Sequence, residues 1–198
     1  MIKTIFILLL VPSILFASTE GPTSPGTTGD DSTVGTVAWS NTNNAKVSDN
    51  SYATAVVSVI DQNSHYLTIT NFGFSLPNCY SITGITVEFE RSSAGSVADN
   101  SVKLIIGGTI TGNEKAVGGN WPGSDTYQTY GGSSDLWGTT PTCTQIKASN
   151  FGVGMSVALA GGVSPTANID HGRITITYDP PHAGIDLQGV YGTGIVER

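Results

Sequence analysis

From Val34 to Tyr178 apolar and polar residues alternate in run after run, and a period of two is the mark of a strand with one buried face. In ITVEFE, Ile85, Val87 and Phe89 fall on one side and Thr86, Glu88 and Glu90 on the other. The same alternation turns Leu67 and Ile69 inward, and likewise Val102, Leu104 and Ile106, Val153, Met155, Val157 and Leu159, and Ile174, Ile176 and Tyr178. Ala53, Ala55 and Val57 supply an earlier strand, and Trp39 reads as core. Turn clusters of Gly, Pro, Asn and Ser separate the runs, and no βαβ rhythm or internal repeat interrupts them. The pattern predicts an all-β fold, a single antiparallel β-sandwich of jelly-roll-like topology with about seven to nine strands. One helical turn is expected, over TCTQIKAS, where Thr142 and Gln145 have the spacing of a capping box.

The segments outside this domain read differently. MIKTIFILLLVPSILFAS joins a basic start to a short apolar run and small residues, the form of an export signal, so residues 1–17 are assigned as a signal peptide cleaved near Ala17. The run is too short, and broken by Pro12, to span a membrane, which takes about 20 residues. No membrane insertion after cleavage is expected, and the chain is read as secreted, extracellular or at a cell surface. Residues 18–33 are polar and rich in Pro, Gly and Thr, and read as a flexible leader, with the sandwich domain over 34–178. In the tail, 179–198, Pro180 and Pro181 end the last strand. It is either untethered or an assembly strand in which Ile185, Leu187, Val190, Tyr191 and Ile195 add to a neighbour's sheet edge.

Loss of Lys3 with the signal leaves 7 basic against 15 acidic residues, a net charge of −8. A nucleic-acid partner asks for a basic footprint and is excluded on that ground. Cys79 and Cys143 are the only cysteines, and in an exported chain they are expected to form a disulfide. The two cannot fill a zinc site without clustered histidines, and His65, His171 and His182 lie far apart in sequence, as surface or strand-end residues.

AWSNTNNAKVSDNSYATA, LTITNFGFSLP, ITGITVEFERSS, VKLIIGG, NWPGSDTYQTYGGSSDLWG and the Thr-rich turn leading to SNFGVGMSV together resemble a β-sandwich module of phage tail or virion-associated proteins and of secreted, adhesin-like bacterial surface proteins. The resemblance spans roughly residues 37–178 and implies a structural or adhesive unit. It carries over no catalytic residue. The export signal and the cysteine pair depart from it and favour the secreted setting.

Candidate chemistry concentrates in the loop from 120 to 138. Trp121, Tyr127, Tyr130 and Trp137 could stack on sugar rings while Asp125 and Asp135 take hydroxyls, or the indoles could fold under and close an open end of the sandwich, which is the preferred reading. Glu88 and Glu90 share a strand face about 7 Å apart, but alternating strands produce many such pairs, so glycosidase chemistry is not expected. Ser156 in GMSVA lacks the strand-to-helix turn of a nucleophile elbow. Calcium is the one cofactor with any support, through Asp49, Asp99 and Asp170 at turns. The function that follows is a secreted, non-enzymatic structural or adhesive protein that associates with itself, as a surface or filament subunit, through strand edges and a terminal segment. The alternative is a carbohydrate-binding module using the aromatic loop, with a glycan or cell-surface partner.

Overall fold

The computed structural model describes residues 17–58, 62–161 and 165–181. Among the described residues ten strands make two five-stranded antiparallel sheets. In one, β1 (Ser18–Thr23), β10 (Thr166–Asp179), β5 (Ser81–Ser93) and β8 (Thr126–Gly132) lie side by side, and β3 (Ala53–Val56) pairs with β10 beyond β1. In the other the order is β2 (Thr27–Asp31), β4 (Tyr66–Thr70), β9 (Gly152–Gly161), β6 (Ser96–Ile106) and β7 (Thr109–Thr111). Apart from the hairpin β6–β7, each strand hands the chain to the other sheet, so the apolar faces of both are built together and meet in one core.

The alternation has the predicted sides. Ile85, Val87 and Phe89 of β5 face Leu67, Ile69, Val153 and Met155 of the opposite sheet's strands in one buried cluster, with Ile174 and Ile176 of β10 beside them. Ile106 differs: it is half-buried at the end of β6, where the inner face runs past the core. Trp39 is buried and its indole donates to His65 O at 2.9 Å. The helical turn is α1 (Cys143–Lys147), closed by the expected reciprocal bonds between Thr142 and Gln145. A 3₁₀ turn at Thr42–Ala45 adds a second, unpredicted helical piece.

The expected flexible leader is not one. Residues 18–23 pair with β10 and residues 27–31 with β4, one strand in each sheet. Both are edge strands with little buried side chain, so they need no apolar alternation and leave no periodic trace in the sequence. Side-chain carboxylates fasten them instead. Glu20 accepts from the backbone of Ser75 and Leu76 at 2.9 and 2.6 Å, and Asp30 accepts from Trp39 N at 2.7 Å and meets His65 Nδ1 at 2.7 Å. The signal segment and the assembly residues Ile185, Leu187, Val190, Tyr191 and Ile195 lie outside the described residues. Among the described residues no helix is long and apolar enough to cross a membrane.

Cys79 and Cys143 form the disulfide, with Cα atoms 6.1 Å apart. It joins the turn before β5 to the start of α1, which precedes β9, so these two turns share one end of the sandwich.

Candidate functional site

The aromatic loop folds inward. Trp121, Tyr130 and Trp137 are 4%, 2% and 0% exposed, which leaves no ring face for a sugar. Trp137 sits at φ 58°, an outlier for a bulky residue that only a dense surround sustains. Asp135 Oδ1 accepts its backbone N–H at 2.7 Å, and its indole donates to Ile85 O at 2.9 Å. Gly131, itself at φ 70°, makes room for that indole where a Cβ would collide with it. Lys115 closes the group from outside, bonding Asp135 at 2.6 Å and lying over the Trp137 ring, and its bond holds the Asp135 carboxyl below the usual range.

Asp99, a calcium candidate by sequence, is the hub of this packing. Its carboxylate accepts from Arg91 Nη1, from Trp121 Nε1 at 2.7 Å, from Tyr130 Oη at 3.0 Å and from Val117 N at 3.0 Å. Arg91 takes the core-facing position in the alternation and is sandwiched by the Trp121 and Tyr130 rings at 4.9 and 5.8 Å. Burial, first, and the Asp99 charge raise the Tyr130 phenol far above its ordinary value. With four protein donors Asp99 has no capacity left for a cation. The other two candidates lie elsewhere, Asp170 Oδ1 accepting from Asp49 N at 3.2 Å, so the three carboxylates are not brought together. Among the described residues no cluster of three or more His, Cys, Asp or Glu is placed to hold a metal.

Tyr127 and Asp125 belong to a different assembly on the outer face of the β5 sheet. Tyr127 of β8, Glu90 of β5 and His171 of β10 are register partners, and Glu88 pairs with Arg173 one step along. Arg173 grips Glu88 through Nε and Nη2 at 2.9 and 3.1 Å and stacks on the Tyr127 ring at 3.8 Å, which occupies that face of the ring. Tyr52 donates to Asp125 at 2.7 Å, a bond that pushes the phenol up to about 12. Burial, then the neighbouring Glu90 and Asp125 charges working against two backbone bonds, raises the Asp170 carboxyl. His171, expected near the surface, is 7% exposed within β10, where a register shift at Asp170 interrupts the ladder. Burial lowers its pKa, while the carboxylates of Glu90, Asp170 and Glu88 oppose the shift.

An open concavity lies at the mouth of the sandwich. Its volume is about 300 Å³, and Ile106, Thr109, Thr111, Thr139, Thr140, Pro141 and Gln145 line it. Ile106 pairs with Thr109 and Leu104 with Thr111, so β7 continues outward the face that β6 turns to the core, changing from aliphatic to hydroxyl. The opposite wall is rigid. Thr139 donates to Leu136 O at 2.7 Å, the capping box fixes Thr142 and Gln145, and the disulfide anchors α1. Among the described residues no ionisable side chain lines the cleft. The aromatic loop therefore serves the site indirectly, as the support behind residues 139–141. These threonines carry little sequence signal of a site because Thr in a turn is ordinary; the run TTPT beside a capping box is the trace they leave.

No protein-family model and no curated protein matches the chain. Solved structures with a loose likeness include TmCBM61 in complex with beta-1,4-galactotriose, at 12% identity and TM-score 0.35 over 75% of this chain and 86% of that one. A family 11 carbohydrate-binding module from Clostridium thermocellum, in complex with a beta-1,3-1,4-mixed-linked tetrasaccharide, has 11% identity and TM-score 0.31 over 85% and 91%. The bacteriophage CBA120 tailspike protein 4 has 12% identity and TM-score 0.32 over 77% of this chain and 19% of its own. These values describe a distant likeness of fold and carry no residue across.

Proposed function

We propose that this chain is a carbohydrate-binding β-sandwich that works outside the cytoplasm and holds a neutral saccharide in the cleft at the mouth of the sandwich. The observation that carries the reading is the lining: four threonines and Gln145 around an apolar floor of Ile106 and Pro141, with no charge. A sugar ring presents one apolar face and a rim of hydroxyls, which matches that composition. The volume, about 300 Å³, stands at the lower end of ligand pockets, roughly 300–1,000 Å³, and suits one ring of a longer chain. No ionisable side chain among the described lining residues stands beside these threonine hydroxyls to activate them, which suits the cleft to binding. The disulfide fits an oxidising compartment.

The test is calorimetric titration with neutral oligosaccharides of beta-linked galactose and glucose. Thr111→Val keeps the side-chain shape and deletes the hydroxyl, so affinity should fall by about tenfold, the value of roughly one hydrogen bond, with the melting temperature unchanged. Loss of binding on Trp121→Ala in a folded protein, with Thr111→Val silent, would return the site to the aromatic loop.

A further inference from the structure

Ser24 occupies the crossing between β1 and β2, exposed to solvent, with its Oγ 2.9 Å from Nε2 of the buried His171. The other imidazole nitrogen, Nδ1, lies 2.9 Å from the Tyr127 hydroxyl. A neutral imidazole carries one hydrogen, and its place determines what Ser24 meets.

Glu90 favours one of the two places. It stands in register with both Tyr127 and His171, and its Oε2 is covered and has no hydrogen-bond partner. With the hydrogen on Nε2, Tyr127 would donate to Nδ1 and the Glu90 oxygen would stay a buried acceptor without a donor, which is costly. With the hydrogen on Nδ1, His171 donates to Tyr127 Oη, and the Tyr127 hydrogen is free to turn toward the carboxylate of Glu90, its register partner. The influence of Glu90 on the Tyr127 phenol, which with burial raises it, agrees with that direction. Nε2 then offers a lone pair to the Ser24 hydroxyl. A nucleophile within hydrogen-bond reach of a base, itself oriented by a third group, is the arrangement that activates serine.

We propose that Ser24 is a reactive serine, with His171 as its general base and Tyr127 and Glu90 as positioning residues, toward small unhindered acyl and phosphonyl electrophiles. This does not depend on the glycan reading. With an acyl ester, Oγ bonds the carbonyl carbon as its proton passes to Nε2; the alcohol leaves with that proton, and water, deprotonated by His171, frees the acid. With an alkyl fluorophosphonate the Oγ–P bond forms, P–F breaks, fluoride departs and the adduct persists.

The test is fluorophosphonate labelling of the full mature chain, read by intact mass and peptide mapping across pH. The groups facing His171 are Glu88 and Glu90 of β5, Tyr127 of β8, Asp170 and Arg173 of β10, and the Lys46 segment bridged to it. Since burial outweighs the carboxylates and lowers the pKa of His171, labelling at Ser24 should rise with a midpoint below 6.5 and be flat at neutral pH. His171→Gln should slow it by about 100-fold, the usual share of a general base. Glu90→Gln should weaken the plateau and shift the midpoint. Labelling spread over many serines, or a Ser24 rate climbing with hydroxide and showing no plateau in the wild-type chain, would overturn the proposal even if the variants fail to fold.

Discussion

Replacing Asp99 by Asn should cost this fold more than almost any other single-atom change. The carboxylate presents acceptors to four donors, Arg91 Nη1, Trp121 Nε1, Tyr130 Oη and Val117 N, and its side chain is 0% exposed. An amide turns one oxygen into an NH₂ group that faces donors, and the Arg91 guanidinium, 5% exposed, is left without a counter-charge. Breaking one side of a buried ion pair costs about 3–5 kcal/mol. For a domain of this size each kcal/mol lowers the melting temperature by about 2–4 °C, so Asp99→Asn should melt roughly 10 °C or more below the wild type. The assay is urea unfolding followed by tryptophan fluorescence, since Trp121 donates directly to Asp99. Asp99→Leu with Arg91→Met removes both charges together but leaves Trp121 Nε1, Tyr130 Oη and Val117 N without their acceptor, so it should recover only the part of the loss that comes from the unpaired guanidinium. A loss below about 1 kcal/mol for Asp99→Asn, or full recovery in the double variant, would refute the hub.

Two further outcomes follow from the same physical picture. Reducing the Cys79–Cys143 bond, which closes a separation of 64 residues, should cost about 4 kcal/mol by the chain-entropy model and, by releasing α1, weaken saccharide binding; unfolding and calorimetry with and without reductant check both. Asp170→Asn should leave the protein as stable or more stable at pH 7.5 and change little at pH 3. The folded carboxyl has a raised pKa, so the native state holds its proton more tightly than the unfolded chain. Stability from that proton is complete below the ordinary value of 3.8 and lost as pH rises through the folded value, and urea curves at the two pH values read the difference.

How far the molecule could be read beforehand depended on burial. β5, β9 and β10 each turn an apolar face to the core, so Phe89, Met155 and Ile174 advertised their sides through alternation, and the Thr142–Gln145 box marked α1. β1 and β2 bury almost nothing, being held by backbone pairing and by Glu20 and Asp30, and such strands look like linker. The indoles were visible as a group, but whether an indole faces in or out depends on partners such as Ile85 O and Asp99, distant in sequence. The row of Tyr127, Glu90 and His171 is invisible for the same reason, since register across three strands places it. The cleft needs β7, the 139–141 wall and α1 together, and only the threonine run hinted at it.

A neutral saccharide bound at the mouth of the sandwich must perturb the backbone amides that line it. The decisive measurement is amide chemical-shift mapping of the labelled protein titrated with neutral beta-linked oligosaccharides. Saturable shifts centred on Thr109, Thr111, Thr139, Thr140 and Gln145 are the predicted result. Shifts gathered on the outer face around Tyr127 and Arg173, or none at millimolar sugar, would contradict it.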